Sequence, residues 1–398
     1  MNPIFITIPQ RFYAERKYII DIFFREFLGV DFQLKTGQDP FYTISLEKGR
    51  IIIEDHFFNH FAGDYLFPSA LPLKTEKAVN DFCPEQDMPV LFGNTKLIIQ
   101  EEADGLCIRT GIDIFAGAFF MLSRWEEYVK TNRDEYERFP VSESLAYQQG
   151  FLHRPVVNEY LEFLRKMLIY LGCSQTMIRH QFRVFPTHDI DFIQYKGGYW
   201  KSLGKDIFKY RHVKLIRNKL LQFPKPVYDT FDFLMDKSDE AGCTSCFYFI
   251  AAPDSDKDNT YYLETPAFQK AISKIRQRGH YIGFHAGYET FNNKALFAQQ
   301  KSDLEKACEA QITSGRQHYL RFSIPDTWQI YEDCGMHEDA TLIFPEQPGF
   351  RCGTCYSFPV FNIKTRKQLK VRENPLIMMD TTFMYYTRSS PSEAIRMV

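Results

Sequence analysis

The sequence predicts an α/β protein: a (β/α) barrel over residues 181–398, preceded by a smaller α/β domain over residues 1–108 and a helical connector over residues 109–180. The chain has 398 residues, which is enough for about two or three domains. Hydrophobic residues make up 44% and charged residues 25%, a balance that is typical of a globular protein. From Val184 onward, strand-like runs alternate with helix-like segments, which is typical of a parallel sheet.

The amino-terminal domain is predicted from short strand-like runs and one helix-like segment. The runs are FITI, FYTISL, RIIIED and KLIIQEE, and the segment from Tyr18 to Leu28 repeats apolar residues at helical spacing. His56 and His60 lie four residues apart, a spacing at which a helix can bind a metal. Because Phe57 and Phe58 between them are typical packing residues and the segment follows directly on the strand-like run, we favour a structural role for this segment.

The helical connector is predicted from two apolar segments. The first, DIFAGAFFMLSRWEEYVK, has an apolar face that is followed by Glu126 and Glu127. The second, NEYLEFLRKMLIYL, runs from Asn158 to Leu171 and has the same character. We expect these helices to pack the first domain on the second.

Composition limits the classes of function. The formal net charge is −2, so no overall positive field attracts the chain to nucleic acid. The longest apolar run, Ile114 to Leu122, has nine residues, whereas a membrane span needs about 20. The amino terminus lacks the pattern of a signal peptide, and the nine cysteines are odd in number and scattered. We therefore expect a cytoplasmic protein without a transmembrane segment.

Two further patterns each allow two interpretations. Two CxxC pairs are present, Cys243/Cys246 and Cys352/Cys355. They could supply four thiolates to zinc, but their apolar and glycine-rich surroundings favour a structural role.

The basic segment, residues 196–225, contains nine Lys and Arg residues and one acidic residue. We favour a solvated amphipathic hairpin there; the alternative is a peripheral contact with an anionic glycan or membrane surface.

The predicted barrel contains six strand-like runs that alternate with helix-like segments. In chain order they are VFPTHDID, CFYFIAA, HYIGFH, a run that ends near Arg316 to Tyr319, ATLIF and PLIMMD. Active sites of such barrels lie at the carboxyl ends of the strands. The most reactive side chains of the sequence occur at those ends, which predicts a functional site there.

The first strand end carries two carboxylates, Asp189 and Asp191, in the run THDID. Carboxylates that pack together without a cation repel each other, and one pKa rises. A divalent metal removes this repulsion, so that one carboxylate binds the ion while the other acts as a base. The alternative is an Asp pair that caps the strand end or stabilises the following loop.

Two later strand ends carry basic side chains. His285 lies near the end of GHYIGFH, and imidazole is a common ligand of zinc and similar metals. Arg316 and His318 lie two residues apart in RQHY. The arginine could bind a carboxylate in a bidentate pair, and the histidine could be a third metal ligand. Arg351, in the glycine-bounded turn GFRCGTC, is a further candidate.

Taken in order, THDID, GHYIGFH, RQHY and PLIMMD resemble the motifs of the polysaccharide deacetylases of carbohydrate esterase family 4. Residues 1 to about 180 also resemble the amino-terminal region of a divergent bacterial branch, in FFMLSRWEEY, DEYERF and PVVNEY. The resemblance implies a distorted (β/α) barrel of polysaccharide-deacetylase type and a bound divalent metal, for which we expect zinc. It also implies the hydrolysis of N-acetyl or O-acetyl groups on sugars.

The resemblance further implies roles for individual residues. Asp189 corresponds to the catalytic base and Asp191 to a metal ligand, because some members space these carboxylates as D-x-D. The run Gly279–Gly283 matches the lead-in to the second motif, so His285 corresponds to the first metal-binding histidine. Arg316 corresponds to the arginine that orients the base. Three further residues are candidates for binding substrate or organising the site: Tyr288, Arg351 and Asp380.

Two departures from the family pattern concern a ligand and the general acid. Glu289 occupies the position of the second metal-binding histidine and is an alternative ligand. We favour His318, because one Asp and two His leave a coordination position open for water. The family's last strand carries a histidine taken as the acid, and no histidine follows Asp380. We therefore expect a barrel that lacks its last strand, with His188 or His337 as candidates for the acid.

The predicted function is the metal-dependent removal of an acetyl group from a carbohydrate substrate in polysaccharide metabolism. The alternative is a catalytically impaired relative that binds a glycan or acts as a scaffold in polysaccharide assembly. The absent last motif and Glu289 favour that alternative. A third reading is a different amide or ester hydrolase, since a fold does not determine its substrate.

Overall fold

Five parallel strands position the candidate site, and they belong to the second of two structural units. The structure is a computed structural model, and it describes residues 3–103, 105–193, 203, 207, 213–222, 229–252, 257–258 and 261–397. The first unit comprises Met1–His180, Ser323–Gln329 and Leu342–Val398. The second unit comprises Gln181–Phe322 and Ile330–Thr341.

The described strands and helices are numbered here along the chain. The strands are β1 (Ile4–Pro9), β2 (Phe32–Gly37), β3 (Phe41–Leu46), β4 (Gly49–Glu54), β5 (Glu76–Ala78), β6 (Met88–Val90), β7 (Gly93–Glu102), β8 (Gly105–Ile112), β9 (Thr187–Ile190), β10 (Cys246–Ile250), β11 (Tyr281–Ala286), β12 (Ser314–Gln317), β13 (Glu338–Asp339), β14 (Phe358–Asn362) and β15 (Lys367–Glu373). The α-helices are α1 (Tyr13–Asp21), α2 (Ile114–Ser123), α3 (Trp125–Val129), α4 (Leu145–Gln148), α5 (Val156–Tyr170), α6 (Val213–Gln222), α7 (Phe231–Glu240), α8 (Pro266–Gln277), α9 (Lys294–Cys308), α10 (Asp326–Asp333) and α11 (Pro391–Met397). Two π-helical turns cover Ile22–Phe27 and Thr382–Tyr386.

The first unit is built on a mixed six-stranded sheet with the order β2-β1-β3-β4-β8-β7. β1 pairs with β2 in parallel and with β3 antiparallel, whereas β8 pairs with β4 in parallel and with β7 antiparallel. The runs FITI, FYTISL, RIIIED and KLIIQEE lie in or overlap β1, β3, β4 and β7, as the alternation of apolar and polar residues predicts. β14 and β15 form an antiparallel hairpin in the same unit.

Helix α2 is a central element of the first unit. Each of its residues is buried, because its sequence, IFAGAFFMLS, is almost entirely apolar. It begins after Asp113, whose side chain accepts a hydrogen bond from the Ala116 amide, and ends at Arg124, which has a left-handed backbone with φ 52°. A Cβ at Gly117 would lie 2.6 Å from the ring of Tyr160, so α2 packs directly on α5.

The second unit contains parallel strands in the order β13-β12-β11-β10-β9. All five residues of β10, CFYFI, are buried, which is typical of an inner strand of a parallel sheet. Ile190 lies beside Phe249, and the next residue of β10, Ile250, lies beside His285. His285 in turn lies beside Arg316. This register brings the carboxyl ends of β9, β10, β11 and β12 to one edge of the sheet.

The mixed α/β class is confirmed, but the predicted barrel is not. Within the described residues the strands of the second unit follow one another in a linear order. Two of the six predicted strands are wrong. ATLIF follows the two-residue strand β13, and the Leu342 amide in it donates to the Glu373 side chain instead of to a neighbouring strand. PLIMMD, residues 375–380, is fully described and forms no strand, because a short apolar run alone does not distinguish a strand from a packed loop.

The chain also divides differently from the predicted boundaries. The predicted amino-terminal domain and connector form one unit together with residues 342–398, which were assigned to the barrel. The reason lies in long-range packing on α1 and α2. The Tyr18 hydroxyl donates to the Pro359 carbonyl, and the Tyr18 ring lies 4.9 Å from the ring of Phe361. Such contacts join segments that are more than 300 residues apart, and no local pattern predicts them.

Most of the basic segment, residues 196–225, lies outside the described residues. Within this segment, residues 213–222 form α6. Because the rest is not described, the predicted hairpin and the alternative peripheral contact stay predictions. No helix in the described ranges has both the length and the apolar character that a membrane crossing requires.

Candidate metal centre

Three candidate ligands lie at the carboxyl edge of the parallel sheet. Asp191 directly follows β9, His285 is the penultimate residue of β11, and His318 directly follows β12. Ile190 pairs with Phe249, and the next residues of the two segments are Asp191 and Ile250. Ile250 in turn pairs with His285 on the other side. Asp191 and His285 therefore stand at the same level, although β10 separates their strands.

The side chains of Asp191, His285 and His318, which we call the ligand cluster, converge. Asp191 Oδ1 lies 3.8 Å from His285 Nε2 and 3.6 Å from His318 Nε2. Ligand atoms bound to one tetrahedral zinc ion at about 2.0–2.1 Å lie roughly 3.3 Å apart, so these distances fit to within roughly half an ångström. Across the ranges that the structure describes, no other group of three His, Cys, Asp or Glu side chains is this closely spaced.

Each histidine of the ligand cluster turns its second ring nitrogen toward an oxygen acceptor. His285 Nδ1 lies 3.0 Å from the Arg316 carbonyl oxygen, and His318 Nδ1 lies 3.1 Å from Asp258 Oδ1. A carbonyl oxygen accepts, and a carboxylate oxygen is an acceptor, so we infer that each Nδ1 carries the proton and donates it. Each Nε2 then keeps its lone pair and faces Asp191, which is the arrangement of metal-binding histidines.

Burial and hydrogen bonding in the ligand cluster suit a cation. His285 is 2% exposed, and burial lowers its pKa, which favours the neutral form that binds metals. Asp191 Oδ1 is buried and accepts no hydrogen bond from any residue that the structure describes. A buried carboxylate oxygen without a partner costs free energy, which a bound divalent ion offsets. One carboxylate and two imidazoles suit zinc and other first-row divalent metals.

Asp189, the predicted base, lies beside the ligand cluster and is paired with Arg316. Arg316 Nη1 donates to Asp189 Oδ1 at 2.8 Å. Its Nη2 donates to the Thr187 hydroxyl at 2.9 Å, and its Nε donates to the Ala340 carbonyl at 2.8 Å. Burial raises the pKa of Asp189, but the charge of Arg316 and its hydrogen bond lower it by more, so the pKa lies below its usual value. Asp189 is therefore ionised at neutral pH.

Gly283 explains how Arg316 reaches Asp189 across the two strands between them. The Arg316 guanidinium carbon lies 4.8 Å from the centre of the Tyr248 ring, and Gly283 stands beside Tyr248 in the sheet. A Cβ at Gly283 would lie 2.3 Å from that ring. Any side chain there would displace the aromatic surface on which the guanidinium rests.

Comparison with known proteins provides one family match. Residues 4–172 match a family of unknown function (DUF7033). The match covers less than half of the chain and lies within the first unit, so it describes neither the ligand cluster nor an activity. No curated protein matches the sequence.

The similarities to solved structures are weak. One is a putative polysaccharide deacetylase from Mycobacterium smegmatis, with 13% identity and a TM-score of 0.33, covering 54% of this chain and 68% of that chain. Another is IcaB from Ammonifex degensii, with 11% identity and a TM-score of 0.24, covering 40% of this chain and 83% of that chain. TM-scores this low establish no shared fold. A function for this chain therefore has to be argued from its own residues.

Glu289, the alternative ligand, lies outside the ligand cluster. Its side chain is 66% exposed and lies 3.3 Å from Arg321 Nη1. His318 comes from the neighbouring strand and brings its Nε2 to 3.6 Å from Asp191. The geometry thus groups His318, and not Glu289, with the other two ligands.

Tyr288 organises the loop that follows β11. Its amide donates to Asp258 Oδ1 at 2.7 Å. Its ring centre lies 3.9 Å from the Arg321 guanidinium carbon and 5.2 Å from the ring of Tyr319. The ring is therefore held in a cluster of aromatic and cationic groups next to His318, whose ring lies 4.6 Å from that of Tyr319.

Arg351 and Asp380 belong to the first unit, whereas the ligand cluster belongs to the second. Arg351 forms a bidentate ion pair with Glu127, with N–O distances of 2.9 and 2.6 Å, and both side chains are at most 2% exposed. Asp380 is exposed, and its Oδ1 accepts a hydrogen bond from the Thr381 amide at 2.7 Å. The contacts of Arg351 are those of a structural side chain, and the role of Asp380 stays a prediction.

The two candidates for the general acid do not lie beside Asp189. His188 and Asp189 are consecutive residues of β9, so their side chains point to opposite faces of the sheet. On its face, the His188 ring lies 4.7 Å from the ring of Phe247. His337 directly precedes β13 and so lies at the amino end of that strand. The parallel register places this end away from the carboxyl edge.

The other metal patterns in the sequence form no group of three ligands within the described residues. His56 Nε2 lies 3.1 Å from Glu54 Oε2, and His60 belongs to a short 3-10 turn. None of the nine cysteines forms a disulfide, and the two CxxC pairs belong to different units. His56 is half-buried and His60 is exposed, so the structural roles favoured for these histidines and for the cysteines stay predictions.

Asp258, which contacts both His318 and Tyr288, was not among the site residues predicted from the sequence. A signal was present: the acidic run DSDKD follows the strand-like run CFYFIAA after a single proline, Pro253. In a parallel sheet such a run stands at the same edge as the other candidate site residues. The partner of Asp258 lies 60 residues further along the chain, so no spacing rule identifies it.

Proposed function

We propose that the second unit is a metal-dependent hydrolase that removes an acetyl group from an N-acetylated or O-acetylated sugar. The observation that carries this proposal is the ligand cluster with the ionised Asp189 beside it at one sheet edge. The sugar class is supported by the resemblance of the motifs THDID, GHYIGFH and RQHY to those of polysaccharide deacetylases. A divalent ion, for which we propose zinc, supplies a Lewis acid that polarises an acyl carbonyl and acidifies water.

The residues of the chain divide the remaining tasks. Three protein ligands leave coordination positions open, as catalytic sites require. Asp189 Oδ2 lies 3.9 Å from His285 Nε2, at the rim of the ligand cluster, where it can accept the proton of an attacking water. Arg316 holds the other oxygen of Asp189 and thereby fixes the carboxylate in its ionised form.

Delivery of a proton to the leaving group is the step with the least support from side chains. Of the two candidate acids, His188 faces the opposite side of the sheet and His337 lies at the amino end of β13. Asp189, after it has accepted a proton, is positioned to return it to the leaving oxygen or nitrogen. Because an alkoxide leaves more readily than an amide anion, we expect O-acetyl groups to be hydrolysed faster than N-acetyl groups.

The ligand cluster also supports a second candidate function. If neither His188 nor His337 acts as the acid, the ligand cluster can belong to a catalytically impaired relative that binds a glycan or serves as a scaffold in polysaccharide assembly. Loss of an acid typically lowers the rate by about 10²–10⁴-fold, so this candidate differs from the first in rate and not in metal content.

Release of acetate from defined substrates tests the proposal. The full chain, loaded with zinc, is incubated with O-acetylated and N-acetylated sugar oligomers. Asp189→Asn should retain zinc but release acetate at least ~100-fold more slowly. Asp303→Asn is the matched control, since Asp303 lies on α9 and accepts hydrogen bonds from Gln299 on the same helix. No acetate from any oligomer at full zinc occupancy, together with retained glycan binding, would contradict the hydrolase and favour the second function.

A further inference from the structure

We propose that Asp258 is a positioning residue of the metal centre, which holds His318 with Nε2 directed at Asp191. The inference rests on the proposed function, because it assumes that the ligand cluster binds a metal. Asp258 lies in the segment between β10 and α8, outside the motifs that resemble the deacetylases. It supplies no ligand atom to the cluster and acts through the imidazole of His318.

The contacts of Asp258 support this role. Its Oδ1 lies 3.1 Å from His318 Nδ1 and accepts a hydrogen bond from the Tyr288 amide at 2.7 Å. The carboxylate side chain is 5% exposed and that of His318 is 11% exposed. One carboxylate oxygen therefore joins the loop after β11 to the residue after β12, at the edge where the ligand cluster lies.

The hydrogen bond determines which nitrogen of His318 can bind a metal. A carboxylate that accepts from Nδ1–H keeps the proton on that nitrogen, fixes the ring plane and makes Nε2 a stronger donor. Removing such an outer partner typically weakens metal binding about 10- to 100-fold. Asp258 therefore contributes to metal affinity although it is not a ligand.

The backbone around His318 makes an external support necessary. The two residues that follow it, Tyr319 and Leu320, have left-handed backbones with φ of 59° and 58°. Consecutive non-glycine residues in this region are unfavourable and persist only where surrounding contacts hold them. The other histidine differs, since His285 lies within β11 and its Nδ1 partner is a backbone carbonyl that no substitution removes.

Zinc affinity and a cobalt spectrum together test the inference. The full chain and its variants compete with a chromogenic chelator for zinc, and the cobalt-substituted forms report the coordination geometry through their visible absorption. Asp258→Ala should bind zinc about 10- to 100-fold more weakly and shift the cobalt spectrum. Asp258→Asn should lie between, because its amide oxygen still accepts from Nδ1 but carries no charge. Asp303→Asn, again the matched control, should bind zinc like the unaltered chain.

The possible outcomes separate this inference from the proposed function. If the unaltered chain binds no zinc, the proposed function fails, whatever Asp258 does. If that chain binds zinc and Asp258→Ala matches its affinity within about threefold, with an unchanged cobalt spectrum, only the role of Asp258 is overturned. If Asp258→Ala does not fold, Asp258→Asn decides: unaltered affinity and spectrum contradict the inference, and weaker binding supports it.

Discussion

Replacing Glu127 by Gln should lower the free energy of unfolding of the first unit by about 3 kcal/mol at pH 7. The Glu127 carboxylate is 2% exposed and accepts hydrogen bonds from Arg351 at 2.6 and 2.9 Å and from Arg124 at 2.9 Å. The substitution leaves the buried Arg351 guanidinium without its anion, and Arg124 keeps only Glu126, at 3.7 Å. Removing one partner of a buried ion pair typically costs about 3–5 kcal/mol.

The pKa of Glu127 gives an independent estimate of this magnitude. Burial raises the pKa, but the charges of Arg351 and Arg124 lower it by more, to about 2. The difference from the unfolded value of about 4.3 corresponds to about 3 kcal/mol. Because the folded pKa is the lower one, this stabilisation is fully present well above pH ~4.3 and is lost as the pH falls toward 2. At pH 3 it should be about half as large.

Urea unfolding at pH 7 and pH 3, followed by tryptophan fluorescence, measures both quantities. Trp125 is fully buried two residues before Glu127 and reports on this part of the first unit. Glu162→Gln is the control, because Glu162 pairs with Arg165 at a site where both side chains are 32% exposed. Such a surface pair contributes at most about 1 kcal/mol. A loss below about 1 kcal/mol for Glu127→Gln at pH 7, or a loss that does not shrink at pH 3, would refute the reasoning.

Three further predictions concern the second unit. Gly283→Ala should destabilise the second unit by about 1–3 kcal/mol, because the new Cβ would lie 2.3 Å from the Tyr248 ring. Thermal unfolding measures this loss, and an unchanged melting temperature would contradict the prediction. Asp189→Asn should keep its metal, as mass spectrometry can show, while acetate release falls at least ~100-fold; equal release would exclude Asp189 as the base. Glu289→Ala should retain the metal and His318→Ala should lose it, whereas the reverse pattern would make Glu289 the ligand.

Local patterns predicted the strands that carry the candidate site, and the reason is physical. Fully apolar runs such as CFYFIAA identify buried parallel strands, and reactive side chains at their ends must meet at one sheet edge. Asp191 and His285 could therefore be placed together before the register was known. The preference for His318 over Glu289 followed from the ligand set that leaves a coordination position open.

Such local patterns do not predict long-range contacts. Asp258 meets His318 through a hydrogen bond between two loops. Tyr18 meets Pro359 through the discontinuous core of the first unit, so residues 342–398 were assigned to the wrong unit. Arg351 was a candidate for substrate binding because of its glycine-bounded turn, but its carboxylate partner, Glu127, lies 224 residues away. Each of these contacts depends on the folded chain and leaves no periodic signal in the sequence.

Metal content by mass spectrometry, on the full chain and on His285→Ala purified without chelator, tests the central claim most directly. His285 is buried with its Nε2 facing Asp191, so its removal leaves two of the three ligands. We predict about one divalent ion per chain in the unaltered protein and a loss of that ion in the variant, which keeps its fold. An unaltered protein without metal, or a variant that retains it, would contradict the assignment of the metal centre.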